Sequence, residues 1–187
     1  VCGRLKRDFA QLNILDPTNP GFQTGRTTAN SIFPLRIAGE HCLHTETELS
    51  ALLDDLKWCF DTPASTVVEL ALRRLGVPMF YINMLNDNDL HSVKSTVTAN
   101  GNTVDIAGMI HRQLHGTGQG TVEGPINWIP VADIVIAVAR ARSTQPVAMP
   151  LGRGGVLGAD RAWFVDDATL MQAGVGSTPA LQTTVDG

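Results

Sequence analysis

The chain has 187 residues, a formal net charge of −4, 43% hydrophobic residues and 17% charged residues. This length and composition fit one soluble globular domain. The acidic balance argues against bulk nucleic-acid binding, and no apolar run reaches the roughly 20 residues of a bilayer-spanning helix. We therefore expect neither nucleic acid nor membrane among the partners. The odd number of cysteines, without metal-type spacing, favours free thiols in a cytoplasmic protein.

The sequence predicts one folded domain with an extension at each end. Residues 1–31 join a basic segment to a loop rich in Pro, Gly and short polar residues, which predicts an N-terminal arm and a long loop. Residues 32–173 carry the apolar patterns of a single domain. Alternation at 32–37 predicts an edge strand, because Pro34 cannot donate to a sheet ladder. Residues 174–187 are predicted to be a loose C-terminal tail.

Two consecutive helices are predicted near the middle of the chain, at 45–60 and 63–75. Thr45 and Glu48 match a capping box, and apolar residues at helical spacing follow them. Pro63 suits the first position of the second helix, and Gly76 suits a left-handed turn at its end.

A buried strand and a hairpin are predicted next. The continuous apolar run 77–84 is typical of a strand buried on both faces. Asn100-Gly101 favours a type I′ hairpin turn after a strand at 91–98. Residues 102–115 fit either a return strand or a helix, and we favour a strand to about residue 107 followed by a helix.

The remaining third of the chain gives weaker signals. Residues 126–129 suggest a short strand, and the β-branched run 134–138 fits either a helix or a buried strand. Residues 162–165 fit a strand, and Asp166 fits the cap of a helix running to Ala173. Together these elements predict an α+β fold in which a mixed or largely antiparallel sheet packs against the helices at 45–60 and 63–75.

A histidine pair is the first candidate site. If they lie on a helix, His111 and His115 are four residues apart and share one face, a geometry that chelates a divalent transition metal. Asp105 is a candidate third ligand. Arg112 stands where the common zinc-hydrolase motif has a glutamate, so we favour a pair of surface histidines without a cofactor.

Cys42 is the second candidate, because it is expected in a loop before a helix N-terminus, where the helix dipole lowers the pKa of a thiol. His41 and His44 are close in sequence and are candidate partners in catalysis. Both are too near along the chain to act easily as a general base, and no cysteine-protease signature is present. We favour a buried structural cysteine.

The third candidate is a glycine-rich run comprising Gly152, Arg153, Gly154 and Gly155. Glycines allow backbone N–H groups to approach an anion. Too little chain follows for a dinucleotide-binding unit, and no Lys-Ser/Thr follows for a P-loop, so we favour a surface turn.

No complete catalytic motif is present, so we expect a non-catalytic protein–protein interaction module that self-associates or binds a partner, as an assembly subunit or an inhibitor. The order of helix, buried strand, Asn-Gly hairpin and late proline-led segment resembles that of small bacterial toxin-neutralising immunity proteins, a resemblance that assigns no residue a role. The alternative is a small hydrolase that uses a metal at His111 and His115 or the Cys42 thiolate.

Overall fold

A computed structural model describes residues 2–57, 59–60, 62–91, 95–97, 103–105, 123–144, 146–150 and 152–186. Its helices are α1 (Cys2–Leu12), α2 (Ala29–His44), α3 (Ser65–Arg74), α4 (Met79–His91), α5 (Glu123–Arg142) and α6 (Ser177–Asp186). Its strands are β1 (Leu49–Asp55), β2 (Ser95–Val97), β3 (Thr103–Asp105), β4 (Val147–Pro150), β5 (Val156–Ala159), β6 (Arg161–Phe164) and β7 (Asp167–Ala173). The prediction of an α+β fold is confirmed.

The strands of the described residues pair antiparallel throughout. The central sheet has three strands in the order β1-β7-β6, and two further hairpins, β2-β3 and β4-β5, are not hydrogen-bonded to it. β1 pairs with β7 over its whole length, from Leu49 opposite Ala173 to Asp55 opposite Asp167. β6 and β7 form a tight hairpin in which Phe164 pairs with Asp167.

The largest hydrophobic core lies where α1, α3, α4 and α5 meet. Leu72 of α3 and Ile82 of α4 are among its most deeply buried side chains. α1 adds Leu5 and Phe9, and the following loop adds Leu15. The helix and loop of the predicted N-terminal arm therefore pack on the core.

Two carboxylates fasten the loop after α1 to α5. Asp133 accepts hydrogen bonds from the Asp16 N–H at 2.7 Å and from Arg74 Nη1 at 2.6 Å. Asp16 in turn accepts from the N–H and hydroxyl of Thr18 at 2.9 and 2.7 Å and pairs with Arg140 Nη2 at 2.5 Å. Both carboxylates are less than one-tenth exposed. Their charges are therefore paired, as burial requires, and the network is structural.

The two faces of the central sheet pack differently. On one face, α2 and β4 cover one end of the sheet through Cys42, Met149 and Met171. On the other face, Ile136 of α5 packs against Trp163 and Ala168. The sheet is thus held between a helix and a hairpin on one side and α5 on the other.

α5 is the one helix of the described residues that passes a length and composition test for crossing a membrane, and 56% of the window concerned is buried inside the fold. Such burial is typical of the core helix of a globular domain.

The prediction of a helix at 45–60 is wrong, because this segment holds β1. Thr45 ends α2 instead of starting a helix: its N–H and its hydroxyl both bond the His41 carbonyl at 2.9 Å. Seven residue pairs with β7 outweigh the helical spacing of the leucines.

The prediction of a helix at 63–75 is confirmed by α3, including its end. Gly76 has a φ of +78°. Its N–H bonds the Arg73 carbonyl at 2.9 Å and the Val77 N–H bonds the Leu72 carbonyl at 3.1 Å. These two bonds form a Schellman motif.

Two predicted strands are helical. Within the predicted strand 77–84, residues 79–84 form the start of α4, where the N–H groups of Tyr81 and Ile82 bond the Pro78 carbonyl. Residues 32–37 lie in α2 with Pro34 inside the helix. Tertiary burial of residues at helical spacing decides both cases, as with Ile82 and Leu85 in α4.

The predicted hairpin after α4 is confirmed where the chain is described. β2 and β3 pair with Thr96 opposite Val104. The proposed Asn100-Gly101 turn and the choice between strand and helix after residue 105 lie outside the described residues.

The C-terminal third brings one confirmation and three corrections. The strand predicted at 162–165 is confirmed by β6. Residues 126–129 and 134–138 both belong to α5, so the former is not a strand. The helix predicted from Asp166 is wrong, since β7 occupies 167–173. In place of a loose tail, α6 packs on β1 and β7.

Candidate functional site

Four aspartates gather at one end of the central sheet, and we call this group the acidic end. Asp54 and Asp55 finish β1, and Asp166 and Asp167 lie in the β6–β7 turn and at the start of β7. Asp55 is directly opposite Asp167, and the Leu56 N–H bonds the Asp166 carbonyl at 3.0 Å. Opposed residues of an antiparallel pair project to the same face. Two carboxylates therefore share that face.

The ion pairs found between described residues involve none of these four aspartates, so they do not neutralise the charge of the acidic end. Like charges placed directly opposite each other destabilise a strand pair. Asp54, Asp55 and Asp167 are exposed and Asp166 is partly buried, so solvent reduces the repulsion. The acidic end is consequently a place where a bound cation would be favourable.

The carboxylates do not form a closed cage. Within the described residues, no three or more His, Cys, Asp or Glu side chains are arranged to hold a metal ion. Magnesium usually keeps several waters and takes one or two carboxylates together with substrate phosphates. The Asp55–Asp167 pair matches that kind of partial site.

The face that carries Asp55 and Asp167 is open around them. Leu53, two residues before Asp55 and on the same face, is 78% exposed. On this face α2 and β4 pack near Met171, and α2 also packs against β6, where Ser31 Oγ donates to the Trp163 carbonyl at 2.8 Å. The side chains of Asp55 and Asp167 are themselves exposed to solvent.

The side chains of two tryptophans donate hydrogen bonds to the backbone of the β6–β7 turn. Trp128 Nε1 of α5 and Trp163 Nε1 of β6 both donate to the Val165 carbonyl, at 2.9 and 3.0 Å. Both indole rings are buried. The backbone next to Asp166 is thus attached to the protein core.

The structure corrects the premise for Cys42. Cys42 lies buried in the last turn of α2, not in a loop before a helix N-terminus. Burial raises the pKa of its thiol, and the C-terminal end of a helix dipole also disfavours a thiolate. His41 and His44 share this last turn. The lowered thiol pKa that suggested catalysis is therefore not expected at this position. A catalytic role for Cys42, His41 and His44 stays a prediction.

The remaining predicted site residues are a histidine pair with Asp105 and a glycine-rich run. His111 and His115 lie outside the described residues, and Asp105 ends β3. The run Gly152, Arg153, Gly154 and Gly155 lies in the connection between β4 and β5, where Arg153 is exposed and has a φ of +65°. This hairpin position agrees with a surface turn, while anion binding there is untested.

A signal for the acidic end was present in the sequence. Asp54-Asp55 follows Leu52-Leu53, and Asp166-Asp167 follows Trp163-Phe164-Val165. Two aspartate pairs, each directly after an apolar run, suggest two strands that carry carboxylates to one end of a sheet. The interpretation of residues 45–60 and of residues 166–173 as helices concealed this relationship.

No protein-family model matches the chain, and no curated protein matches it significantly.

Proposed function

We propose that the acidic end binds Mg²⁺ or Mn²⁺ together with the phosphate groups of a substrate, and that the protein is a metal-dependent enzyme of phosphoryl transfer or phosphoester hydrolysis. The observation that carries this proposal is the pairing of Asp55 with Asp167. Hard divalent cations prefer carboxylate oxygens, and a cation shared with phosphate neutralises charge in the reaction.

The proposed chemistry assigns simple roles to these residues. Asp55 and Asp167 would hold the cation, and Asp166, the neighbour of Asp167, would orient the attacking oxygen nucleophile. The nucleophile forms a bond to phosphorus and releases its proton to solvent, while the bond to the leaving oxygen breaks and the leaving oxygen takes a proton from solvent. A bound cation would supply positive charge against the charge on the phosphoryl oxygens.

Titration with Mn²⁺, followed by electron paramagnetic resonance of the free ion, tests the site directly. We expect saturable binding to the wild-type chain that weakens by roughly tenfold or more in Asp55→Asn and Asp167→Asn. Asparagine keeps the size of the side chain and removes its charge, so loss of binding reports the carboxylate itself. A tenfold loss corresponds to about 1.4 kcal/mol, a modest value for one charged ligand.

Asp87→Asn is the matched control, because Asp87 is exposed on α4 and undergoes the same charge change away from the central sheet. It should bind Mn²⁺ as the wild type does. Equal affinity in all four proteins, or no saturable binding in any of them, would reject the proposed site.

Protein–protein contact is a second proposed function, since α3 and α4 display large apolar side chains to solvent. Phe80 is 69% exposed and Leu70 is 61% exposed, and the others are Val67, Met79 and Met84. Exposed apolar surface of this kind often marks an interaction site. We therefore propose that the protein self-associates through these apolar side chains of α3 and α4.

Sedimentation velocity over a wide concentration range tests self-association. We expect the mass to rise with concentration in the wild type and to stay monomeric in the double variant Leu70→Ser/Phe80→Ser. Val185→Ser on α6 removes another exposed apolar side chain and serves as the control. A monomeric mass at every concentration would reject self-association.

A cytoplasmic location also stays a proposal. All three cysteines lie within the described residues, and none forms a disulfide. Reduced thiols are usual in reducing compartments, which supports the proposal.

A further inference from the structure

The β6–β7 turn has an unusual residue at its first position. The turn consists of Val165 and Asp166, because Phe164 pairs with Asp167. Val165 has a φ of +61°, whereas Asp166 is not in the positive-φ region. Positive φ at only the first of two turn residues is the pattern of a type II′ turn, whose first position normally takes glycine. A β-branched residue there is strained and has to be held by its surroundings.

The surroundings supply two hydrogen bonds to one atom. A carbonyl oxygen has two lone pairs, so the Val165 carbonyl can accept from both indole N–H groups at once. The two donors come from different elements, Trp128 from α5 and Trp163 from β6. The turn is therefore tied to the helical core and to its own strand.

The second turn residue is fixed in the same way. The Asp166 carbonyl accepts the Leu56 N–H at 3.0 Å, which joins the turn to the end of β1 beside Asp55. Because the carbonyl groups of both turn residues accept hydrogen bonds, the backbone that carries Asp166 and Asp167 is held in one conformation.

We propose that Trp128 is a positioning residue for the acidic end. Its indole N–H, acting with that of Trp163, holds Val165 in the left-handed conformation and so sets where the Asp166 and Asp167 carboxylates point. The effect on cation binding rests on the proposed function. The coupling between Trp128 and Val165 is independent of it and is visible in stability alone.

A double-mutant cycle with Trp128→Phe and Val165→Gly tests this proposal. Phenylalanine keeps a ring in the core but has no N–H, and glycine adopts positive φ without strain. We expect Trp128→Phe to weaken Mn²⁺ affinity by roughly threefold or more in the Val165 background. The same substitution should have little effect in the V165G background, where the turn no longer needs the indole. Coupling of this size is usual for residues in contact.

Urea unfolding of the same four proteins gives the second readout. The destabilisation caused by Trp128→Phe should be clearly smaller in the V165G background. Val68→Ala, a truncation in the same core, controls for general loss of stability and should leave Mn²⁺ affinity unchanged. If Trp128→Phe does not fold, Trp163→Phe removes the other hydrogen bond to Val165 and replaces it in the cycle.

The outcomes separate the two proposals. If the wild type binds no Mn²⁺, the proposed function fails, and the stability cycle alone decides the role of Trp128. Additive effects of the two substitutions on stability would overturn the positioning role. So would Mn²⁺ binding that Trp128→Phe weakens equally in both backgrounds, or does not weaken at all.

Discussion

Asp55 of β1 lies directly opposite Asp167 of β7, so two carboxylates occupy neighbouring positions on one face of the central sheet. Opposed like charges act against the pairing of their strands. The pairing persists because the remaining six residue pairs of the ladder hold β1 and β7 together. The fold thus tolerates a local repulsion at its acidic end, as functional sites often do.

Removing one of these charges should stabilise the protein in the absence of divalent cations. Asp167→Asn is expected to raise the free energy of unfolding by about 0.2–1 kcal/mol at low ionic strength. The gain should shrink as salt screens the repulsion. Urea unfolding at two salt concentrations measures both effects, with Asp87→Asn as the charge-matched control. Destabilisation by Asp167→Asn would contradict the repulsion.

The two faces of α3 should respond differently to the same substitution. Leu72 is 1% exposed in the main core, whereas Leu70 on the same helix faces solvent. Leu72→Ala should lower the free energy of unfolding by about 2–5 kcal/mol, and Leu70→Ala should change it by no more than about 0.5 kcal/mol. Urea unfolding of both variants provides the comparison. Similar values for the two would mean that α3 is oriented otherwise.

Gly21 should not tolerate a side chain. A Cβ there would lie 2.9 Å from Val165 Cγ2 and 3.0 Å from the Val165 backbone nitrogen. Gly21→Ala is expected to cost about 1–3 kcal/mol of stability through overpacking. Gly39→Ala is the matched control, because Gly39 lies inside α2 with no atom near its Cβ position. That variant should gain about 0.5–1 kcal/mol. A neutral Gly21→Ala would show that the loop does not pack against the β6–β7 turn.

Cys42 should behave as a buried thiol. Burial raises its pKa above the ordinary value of 9.0. The folded state then holds the proton more tightly than the unfolded state, so the contribution to stability is present below pH 9 and is lost as the pH rises through the folded pKa. Comparing the pH dependence of unfolding above pH 9 between wild type and Cys42→Ala isolates this contribution. At neutral pH, iodoacetamide should modify Cys42 more slowly than free cysteine, and faster modification would restore the thiolate hypothesis.

Sequence signals predicted the fold best where interactions between residues close along the chain determine the conformation. Gly76 ends α3 as expected, because a glycine with positive φ is a local requirement. The leucines after Thr45 fit either a helix or a strand, and only pairing with β7 selects the strand. The acidic end is not predictable from local sequence for the same reason: Asp55 and Asp167 are 112 positions apart, and their contact depends on tertiary pairing. Asp166 is a common turn residue, but the β-branched Val165 before it disfavours the positive φ that this turn requires, so the dipeptide alone does not indicate the turn. The Val165 carbonyl accepts hydrogen bonds from Trp163 in the adjoining strand and from Trp128, 37 positions away, and the latter contact depends on tertiary structure.

The most direct test of the central claim is the affinity for Mn²⁺ of the wild type and of the Asp55→Asn/Asp167→Asn double variant, measured by electron paramagnetic resonance of the free ion. We predict saturable binding to the wild type that the double variant loses, while the fold is retained as judged by circular dichroism. Binding that persists unchanged in the folded double variant would contradict a cation site at the acidic end.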